Sequence, residues 1–181
     1  MTHGDDSMAG SIFFTSDTHF GDAGVLDDRP FSSVPEMDSA LIANWNSTVA
    51  CGDTVYHLGD FCHRETGDAS PYLDRLNGTV HLVRGNHDDR LVRDSGALFA
   101  SVDTMLEERW NGCGFVLFHF PMRDWPNAIR GARHLFGHVH GVLNGSPLGK
   151  SLDVGVDSHD YTPVSLARVE ELLDALPEHW R

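Results

Sequence analysis

Residues 11 to 19 read SIFFTSDTH, an apolar run that ends directly in two metal-binding types of side chain, Asp17 and His19. The run has the length and composition of a buried β-strand. Alternate side chains of an extended segment point to the same side, so Asp17 and His19 would face a common point. The stretch therefore predicts a strand that presents an aspartate and a histidine together at its end.

The same layout recurs four times further along the chain. Residues 54–60 (TVYHLGD), 79–88 (TVHLVRGNHD), 113–119 (CGFVLFH) and 134–140 (HLFGHVH) are apolar runs that lead into Asp, Asn or His. In layered α/β folds, ligands gather beyond the carboxyl ends of strands. Five loops are therefore expected to bring one set of side chains to a common rim. The set is Asp17, His19, Asp60, Asn86, His87, Asp88, His119, His138 and His140.

The remaining pattern predicts an α/β fold with mixed sheets (α+β by some schemes). Apolar residues at helical spacing predict helices over 35–49 and 165–176. Residues 151–156 predict a sixth strand, and residues 101–110 are expected to pair with the strand over 113–118. Strands that alternate with helices, followed by hairpin-like runs, favour a sandwich of layers.

Length, composition and charge narrow the class of protein. The 181 residues predict a single domain over 1–181, with a flexible N-terminus over 1–10. No apolar run approaches the roughly 18 residues of a membrane span, and the polar, acidic start does not resemble a signal peptide, so a cytoplasmic location is expected. The net charge of −14 argues against non-specific binding to duplex nucleic acid. A small phosphorylated substrate remains compatible with that charge, and the oligomeric state stays open.

The residue types in the five loops indicate metal. Twelve of the 181 residues are histidine, and most of them lie in short motifs with Asp, Asn and Gly. Imidazole and carboxylate together suit Mn, Fe, Zn or Ni. A carboxylate such as Asp60 could bridge two ions through its two oxygens.

The order of these motifs resembles the calcineurin-like metallophosphoesterases. The signature D-x-H, G-D, G-N-H-D, H and G-H-x-H is met in order between residues 17 and 140. The stretches 14–21 (FTSDTHFG), 29–31 (RPF), 45–46 (WN) and 55–61 (VYHLGDF) are similar to the small, stand-alone bacterial and phage branch. The resemblance implies two mixed β-sheets packed as a sandwich and flanked by helices.

The resemblance also implies a role for each motif residue. One divalent ion would bind Asp17, His19 and His140, and the other would bind Asn86, His119 and His138. Asp60 would bridge the two ions, with manganese the expected metal and iron, zinc or nickel as alternatives. A hydroxide shared by the ions would attack phosphorus, and His87, oriented by Asp88, would protonate the leaving group.

Three further side chains are candidates for substrate contact. Residues 60–64 (DFCHR) resemble the G-D-x-x-D-R-G segment of the protein-phosphatase branch, which would make Arg64 a phosphate clamp. The alternative is a solvated arginine paired with Glu65 or Asp68. His63 could touch substrate because it lies close to Asp60. Arg123, with Trp125 stacking on a ring, could line the pocket, or this loop could simply pack.

The substrate class is left open between monoester, diester and nucleotide, with a preference for diesters because the short chain has no inserted cap. A binding scaffold with a degraded metal site is the competing function, and the filled ligand positions favour catalysis over it. Among the other histidines, His57 is expected to be a hydrogen-bonded core residue rather than a partner of a metal ligand. His81 and His134 are expected to be structural or to lie at the surface, and His3, His159 and His179 to be exposed without a role.

Overall fold

The structure is a computed structural model that describes residues 10–146 and 148–178. The flexibility expected of residues 1–10 therefore falls, apart from Gly10, outside the described residues and stays a prediction, as do the expectations for His3 and His179. Within the described ranges, no helix is long and apolar enough to cross a membrane.

Two mixed β-sheets form the centre of the fold. Their strands in the described residues are β1 Ile12–Thr15, β2 Thr54–His57, β3 Thr79–Val83, β4 Ser101–Asp103, β5 Met105–Trp110, β6 Cys113–Phe118, β7 Arg133–Phe136, β8 Ser151–Asp153 and β9 Val164–Ser165. The first sheet has the strand order β4-β3-β2-β1-β9, in which β1 to β4 are parallel and β9 is antiparallel. The second sheet has the order β5-β6-β7-β8, in which β5 is antiparallel to β6 and the rest are parallel.

In the part of the chain that the structure describes, four α-helices accompany the sheets: α1 Val34–Thr48, α2 Ser70–Leu73, α3 Asp89–Ser95 and α4 Leu166–Asp174. The two helices predicted from apolar spacing are present as α1 and α4. Ser33 begins α1 by accepting a hydrogen bond from the backbone N–H of Glu36 (3.4 Å), with Pro35 in the first turn. The short helices α2 and α3 were not predicted, because neither is long enough to show a helical period.

Successive side chains of β1 point into two different layers of the hydrophobic core. Phe13 packs with Met37, Trp45 and other residues of α1 on the outer face of the first sheet. Phe14 packs between the sheets with residues such as Phe115 and Leu135, together with side chains of α4. The alternation is the two-residue period of a strand. The expected two-sheet sandwich with flanking helices is therefore confirmed.

The prediction that residues 101–110 form one strand beside 113–118 was wrong in part. Only β5 pairs with β6, whereas β4 turns away to pair with β3 in the other sheet. A chain can change sheets within two residues, and the composition of 101–110 carries no signal of that change. The connection between β4 and β5 is thus a junction between the two sheets.

Candidate metal centre

The predicted ligands meet at one rim of the sandwich. Each follows the end of a strand: β1, β2, β3, β6 or β7. Among the described residues, three groups of side chains bring their ligand atoms within 4.8 Å of one another. The first group is Asp17, His19 and His140, and the second is Asp60, His119 and His138. The third group, His19, Asp22 and His87, shares His19 with the first. Asn86 joins the second group, since its Oδ1 lies 3.0 Å from Nε2 of His119.

Asp60 lies between the two groups. Its Oδ2 is 3.7 Å from Nε2 of His19 and 3.5 Å from Nε2 of His119. Burial alone would raise the pKa of this carboxyl, but the contact with His119 and the backbone N–H of His87 outweigh burial and lower the pKa to about 2. Asp60 is therefore an anion placed to face both groups.

The backbone at this rim is strained in an unusual way. Nine described residues other than glycine have positive φ, and five of them are predicted ligands: Asp17, His19, Asp60, His138 and His140. Such conformations cost on the order of 1–3 kcal/mol each and persist only where the surroundings enforce them. Glycine allows close approach here, because a Cβ at Gly85 would collide with the carboxylate of Asp60 and one at Gly137 with that of Asp17. The strain is thus concentrated where the side chains must converge.

The polar atoms at the rim fit a cation better than they fit one another. Oδ1 of Asp17 and Nε2 of His19 are buried, and neither has a hydrogen-bond partner among the described residues. Buried polar atoms without partners are rare and costly. Imidazole nitrogens with carboxylate and amide oxygens are donors that suit first-row divalent metals. The side chains present therefore fit the two divalent ions that the resemblance implies.

The metal-free site is expected to weaken the fold as pH rises. Burial raises the pKa of Asp17 to about 7, although His119 and His140 lower it. The folded chain then binds more protons than the unfolded chain between about pH 4 and 7, so stability falls as pH rises through that window.

Asp17→Asn removes this penalty. We expect it to raise the free energy of unfolding of the metal-free protein at pH 8 by on the order of 1 kcal/mol. Thermal unfolding at pH 5 and pH 8, with and without Mn²⁺, measures the effect. With Mn²⁺ the order reverses, and the wild type becomes the more stable protein. A variant that is no more stable than wild type at pH 8 without metal would contradict the burial of a charged Asp17.

His87 lies over the site, but Asp88 does not orient its ring. The carboxylate of Asp88 is buried and accepts from the backbone N–H groups of Gly85 (2.8 Å), Asp60 (2.8 Å) and Phe61 (3.0 Å). Nδ1 of His87 has no hydrogen-bond partner among the described residues. The expectation that Asp88 aims the imidazole was therefore wrong. Asp88 instead links the 59–61 turn to the 85–88 turn through these hydrogen bonds. The carboxylate of Asp88 thereby fixes the position of Asp60.

A buried ion pair that the sequence analysis missed supports His140. Oδ2 of Asp157 is 2.7 Å from Nδ1 of His140, and the same carboxylate accepts from Nε (2.8 Å) and Nη2 (2.7 Å) of Arg29. Arg29 also donates to the backbone oxygens of Asp17 (2.6 Å) and Thr18 (3.1 Å). The hydrogen bond that His140 donates to Asp157 is the largest of the causes that raise the pKa of His140. Because its Nδ1 is engaged, His140 offers its Nε2, which lies 3.9 Å from Oδ1 of Asp17.

Asp157→Asn tests the support that this ion pair gives. A carboxylate that orients a metal-binding imidazole typically contributes 10–100-fold to affinity, so we expect the dissociation constant for Mn²⁺ to rise by about that factor. Titration followed by the electron paramagnetic resonance of free Mn²⁺ measures it. Asp27→Asn removes an equal charge from an exposed residue nearby and serves as the control. Equal affinities for Mn²⁺ in the two variants would mean that the Arg29–Asp157 ion pair contributes to packing and not to metal binding.

The substrate candidates fall in different places. Nη2 of exposed Arg64 lies 3.4 Å from Nε2 of His87. Neither alternative pairing is present among the described residues, where Glu65 accepts from Arg90 (3.2 Å) and Asp68 accepts from Ser70 (2.7 Å). His63 is half-buried, and its Nδ1 accepts from the backbone N–H of Glu65 (3.3 Å). The structure therefore brings Arg64 to the site, while a substrate contact by His63 stays a prediction.

The loop that follows His119 starts at the site, where the ring of Phe120 lies 4.6 Å from that of His138. Arg123 borders a separate cavity of about 220 Å³ together with Phe136, Leu148 and Leu152, and none of the predicted metal ligands lines it. Trp125 is buried and donates from Nε1 to the backbone oxygen of Ala132 (2.8 Å). Trp125 therefore packs against the second sheet, which was the alternative to a pocket role, and a substrate contact by Arg123 stays a prediction.

The other described histidines are structural. His57 is buried, with its Nε2 2.9 Å from Oγ1 of Thr18, and burial lowers its pKa to about 3. His134 is buried between the backbone of Val116 and Met122, and His81 contacts Ser101. The expectation for these three is confirmed. His159, expected to be exposed, is instead half-buried and contacts the backbone oxygen of Asp153 (2.8 Å).

Comparisons with known proteins agree with this geometry. The family model for calcineurin-like phosphoesterases matches residues 10–160. The chain is 34% identical over 171 residues to the uncharacterized protein MJ1445 of Methanocaldococcus jannaschii, covering 90% of this chain and 91% of that protein. It is 29% identical over 198 residues to the gene 66 protein of Mycobacterium phage D29, covering 93% and 98%.

A solved structure shows the same fold. The protein of unknown function AQ665 from Aquifex aeolicus superposes with a TM-score of 0.70 at 22% identity, over 90% of this chain and 99% of that one. Taken with the family match, the five loops and their His and Asp clusters place the chain in the calcineurin-like phosphoesterase family, and it is a metal-dependent phosphoesterase.

Proposed function

We propose that this phosphoesterase hydrolyses phosphoric diesters or nucleotides with two divalent ions, manganese being the preferred metal. One ion would be held by Asp17, His19 and His140. The other would be held by Asn86, His119 and His138, with Asp60 between them. The observation that carries the proposal is the position of Asp60, whose Oδ2 faces a histidine of each group at 3.7 and 3.5 Å.

Two divalent ions held by these side chains would make a water nucleophilic at neutral pH and would take up part of the negative charge of the phosphate oxygens. The chain supplies the rest. Arg64 presents forked donors toward the site, which suits phosphate oxygens. His87 would give its proton to the leaving oxygen as the bond to phosphorus breaks.

The space around the site supports a preference for diesters. His87, Asn86 and Arg64 line a cavity of about 550 Å³, and His140 lines another of about 540 Å³. No described residue lines both cavities. A phosphate between them would have room for a substituent on each side, which a diester needs and a monoester does not. The net charge of −14 still argues against non-specific duplex binding.

Removal and return of metal test the proposal. Protein stripped with a chelator is assayed against bis-p-nitrophenyl phosphate and p-nitrophenyl phosphate, then again after addition of Mn²⁺, Fe²⁺, Ni²⁺ or Zn²⁺. We expect negligible hydrolysis without metal, recovery with metal, and faster hydrolysis of the diester. Hydrolysis that needs no metal, or none with any metal, would contradict the dinuclear mechanism. Faster hydrolysis of the monoester would contradict only the diester preference.

A further inference from the structure

The cavity beside His140 borders the first ligand group and does not include His87. It is lined by His140, by Val25, Val139, Val142 and Tyr161, by Asp28, and by the Arg29–Asp157 pair. Its volume of about 540 Å³ lies in the range of sites that hold small organic ligands.

About half of the surface that this cavity offers is apolar. The charged heads of Arg29 and Asp157 are occupied with each other, with His140 and with backbone oxygens. What remains is Asp28, the ring of Tyr161 and three valines, of which Val142 is 82% exposed. A concave surface that combines an aromatic ring and apolar side chains with a few polar groups is a feature of ligand sites.

Tyr161 is held in this position by a strained backbone. Its φ is +57° and that of Asp160 is +50°, a conformation that bulky side chains rarely adopt. The backbone N–H of Tyr161 donates to the oxygen of Val156 (2.9 Å), and its ring packs edge-on against Phe31 at 5.0 Å. Strain of this kind concentrates at functional sites, where a side chain must point in one direction.

The position of the cavity indicates which part of a substrate it would hold. His87, the proposed proton donor, lines the other cavity, so the leaving group belongs on that side. The cavity beside His140 then faces the group that stays on phosphorus. A flat ring can stack on an aromatic side chain regardless of its hydrogen-bonding pattern.

We propose that the cavity formed by Val25, Val139, Val142 and Tyr161 binds the nucleoside that remains on the phosphate, so that the product is a nucleoside monophosphate. This inference rests on the proposed function and specifies its substrate class. Its test uses two diesters with the same leaving group: thymidine 5′-(p-nitrophenyl) phosphate and methyl p-nitrophenyl phosphate. Because p-nitrophenolate leaves in both, the ratio of their kcat/KM values reports only the retained group.

We expect the Mn²⁺-loaded wild type to favour the thymidine ester by roughly tenfold or more. In Tyr161→Leu the ratio should fall toward one, and in Tyr161→Phe, which keeps the ring, it should stay near the wild-type value. Val142→Asn should lower the ratio several-fold, and the variant should keep its fold because Val142 is 82% exposed. Ile129→Asn makes the same kind of change at an equally exposed residue, 79% accessible, that does not line the cavity.

The possible failures are distinguishable. Hydrolysis of neither ester by metal-loaded protein would overturn the proposed function itself. Hydrolysis of both esters at equal kcat/KM would overturn only the nucleoside site. A wild-type preference that survives in both Tyr161→Leu and Val142→Asn would also overturn it, since the preference would then arise elsewhere.

Discussion

Replacing Asp60 with asparagine is expected to lower kcat/KM for diester hydrolysis by roughly 10³-fold or more, which corresponds to about 4 kcal/mol of transition-state stabilisation. An asparagine keeps the size of the side chain and an oxygen that can accept from the N–H of His87. It loses the negative charge that faces His19 and His119. Without that anion, two cations would repel each other at close range with nothing between them.

Metal content distinguishes this explanation from a simple loss of folding. Elemental analysis of Asp60→Asn should give about one ion or fewer per chain, where the wild type binds about two. Asp74→Asn removes the same charge from an exposed residue at the end of α2 and should keep both metal content and activity. Two tightly bound ions in Asp60→Asn, with full activity, would mean that position 60 is not the bridge.

Replacing His87 with glutamine should produce a different pattern, in which activity falls and metal stays. General acid catalysis typically contributes 10²–10⁴-fold, so kcat for an ester with an aliphatic alcohol as leaving group should drop by about that factor. For a p-nitrophenyl ester the loss should be much smaller, because that leaving group departs without a proton. The comparison of the two leaving groups measures proton donation directly.

The control for His87→Gln is the metal count. The imidazole of His87 also lies within ligand distance of His19 and Asp22, so a direct role in binding an ion is a real alternative. Equal losses of metal and activity would assign His87 to that role. His81→Gln, on β3 and in contact with Ser101, should change neither quantity.

The grouping of the ligands was predictable because the rule behind it is local. A polar residue that follows a parallel strand lies at the carboxyl edge of the sheet, whatever the position of that strand within the sheet. The runs before Asp17, Asp60, Asn86, His119 and His138 are short and apolar, so the strand ends could be read within a residue or two.

What could not be predicted depends on partners far apart in the chain. Arg29 and Asp157 are 128 residues apart, and only the fold shows that they meet beneath His140. The position of Asp157 directly after the apolar run 151–156 was a usable signal, since it follows the same pattern as the ligands. The role of Asp88 was predicted wrongly because its position next to His87 in the sequence does not show which groups donate hydrogen bonds to its carboxylate. In the structure the donors include the backbone N–H groups of Asp60 and Phe61.

The most direct test of the dinuclear centre is anomalous diffraction from crystals grown with Mn²⁺. Two anomalous peaks should lie about 3.5–4 Å apart with the carboxylate of Asp60 between them. Asp17, His19 and His140 should surround one peak, and Asn86, His119 and His138 the other. A single peak, or two peaks that do not share Asp60, would contradict the account.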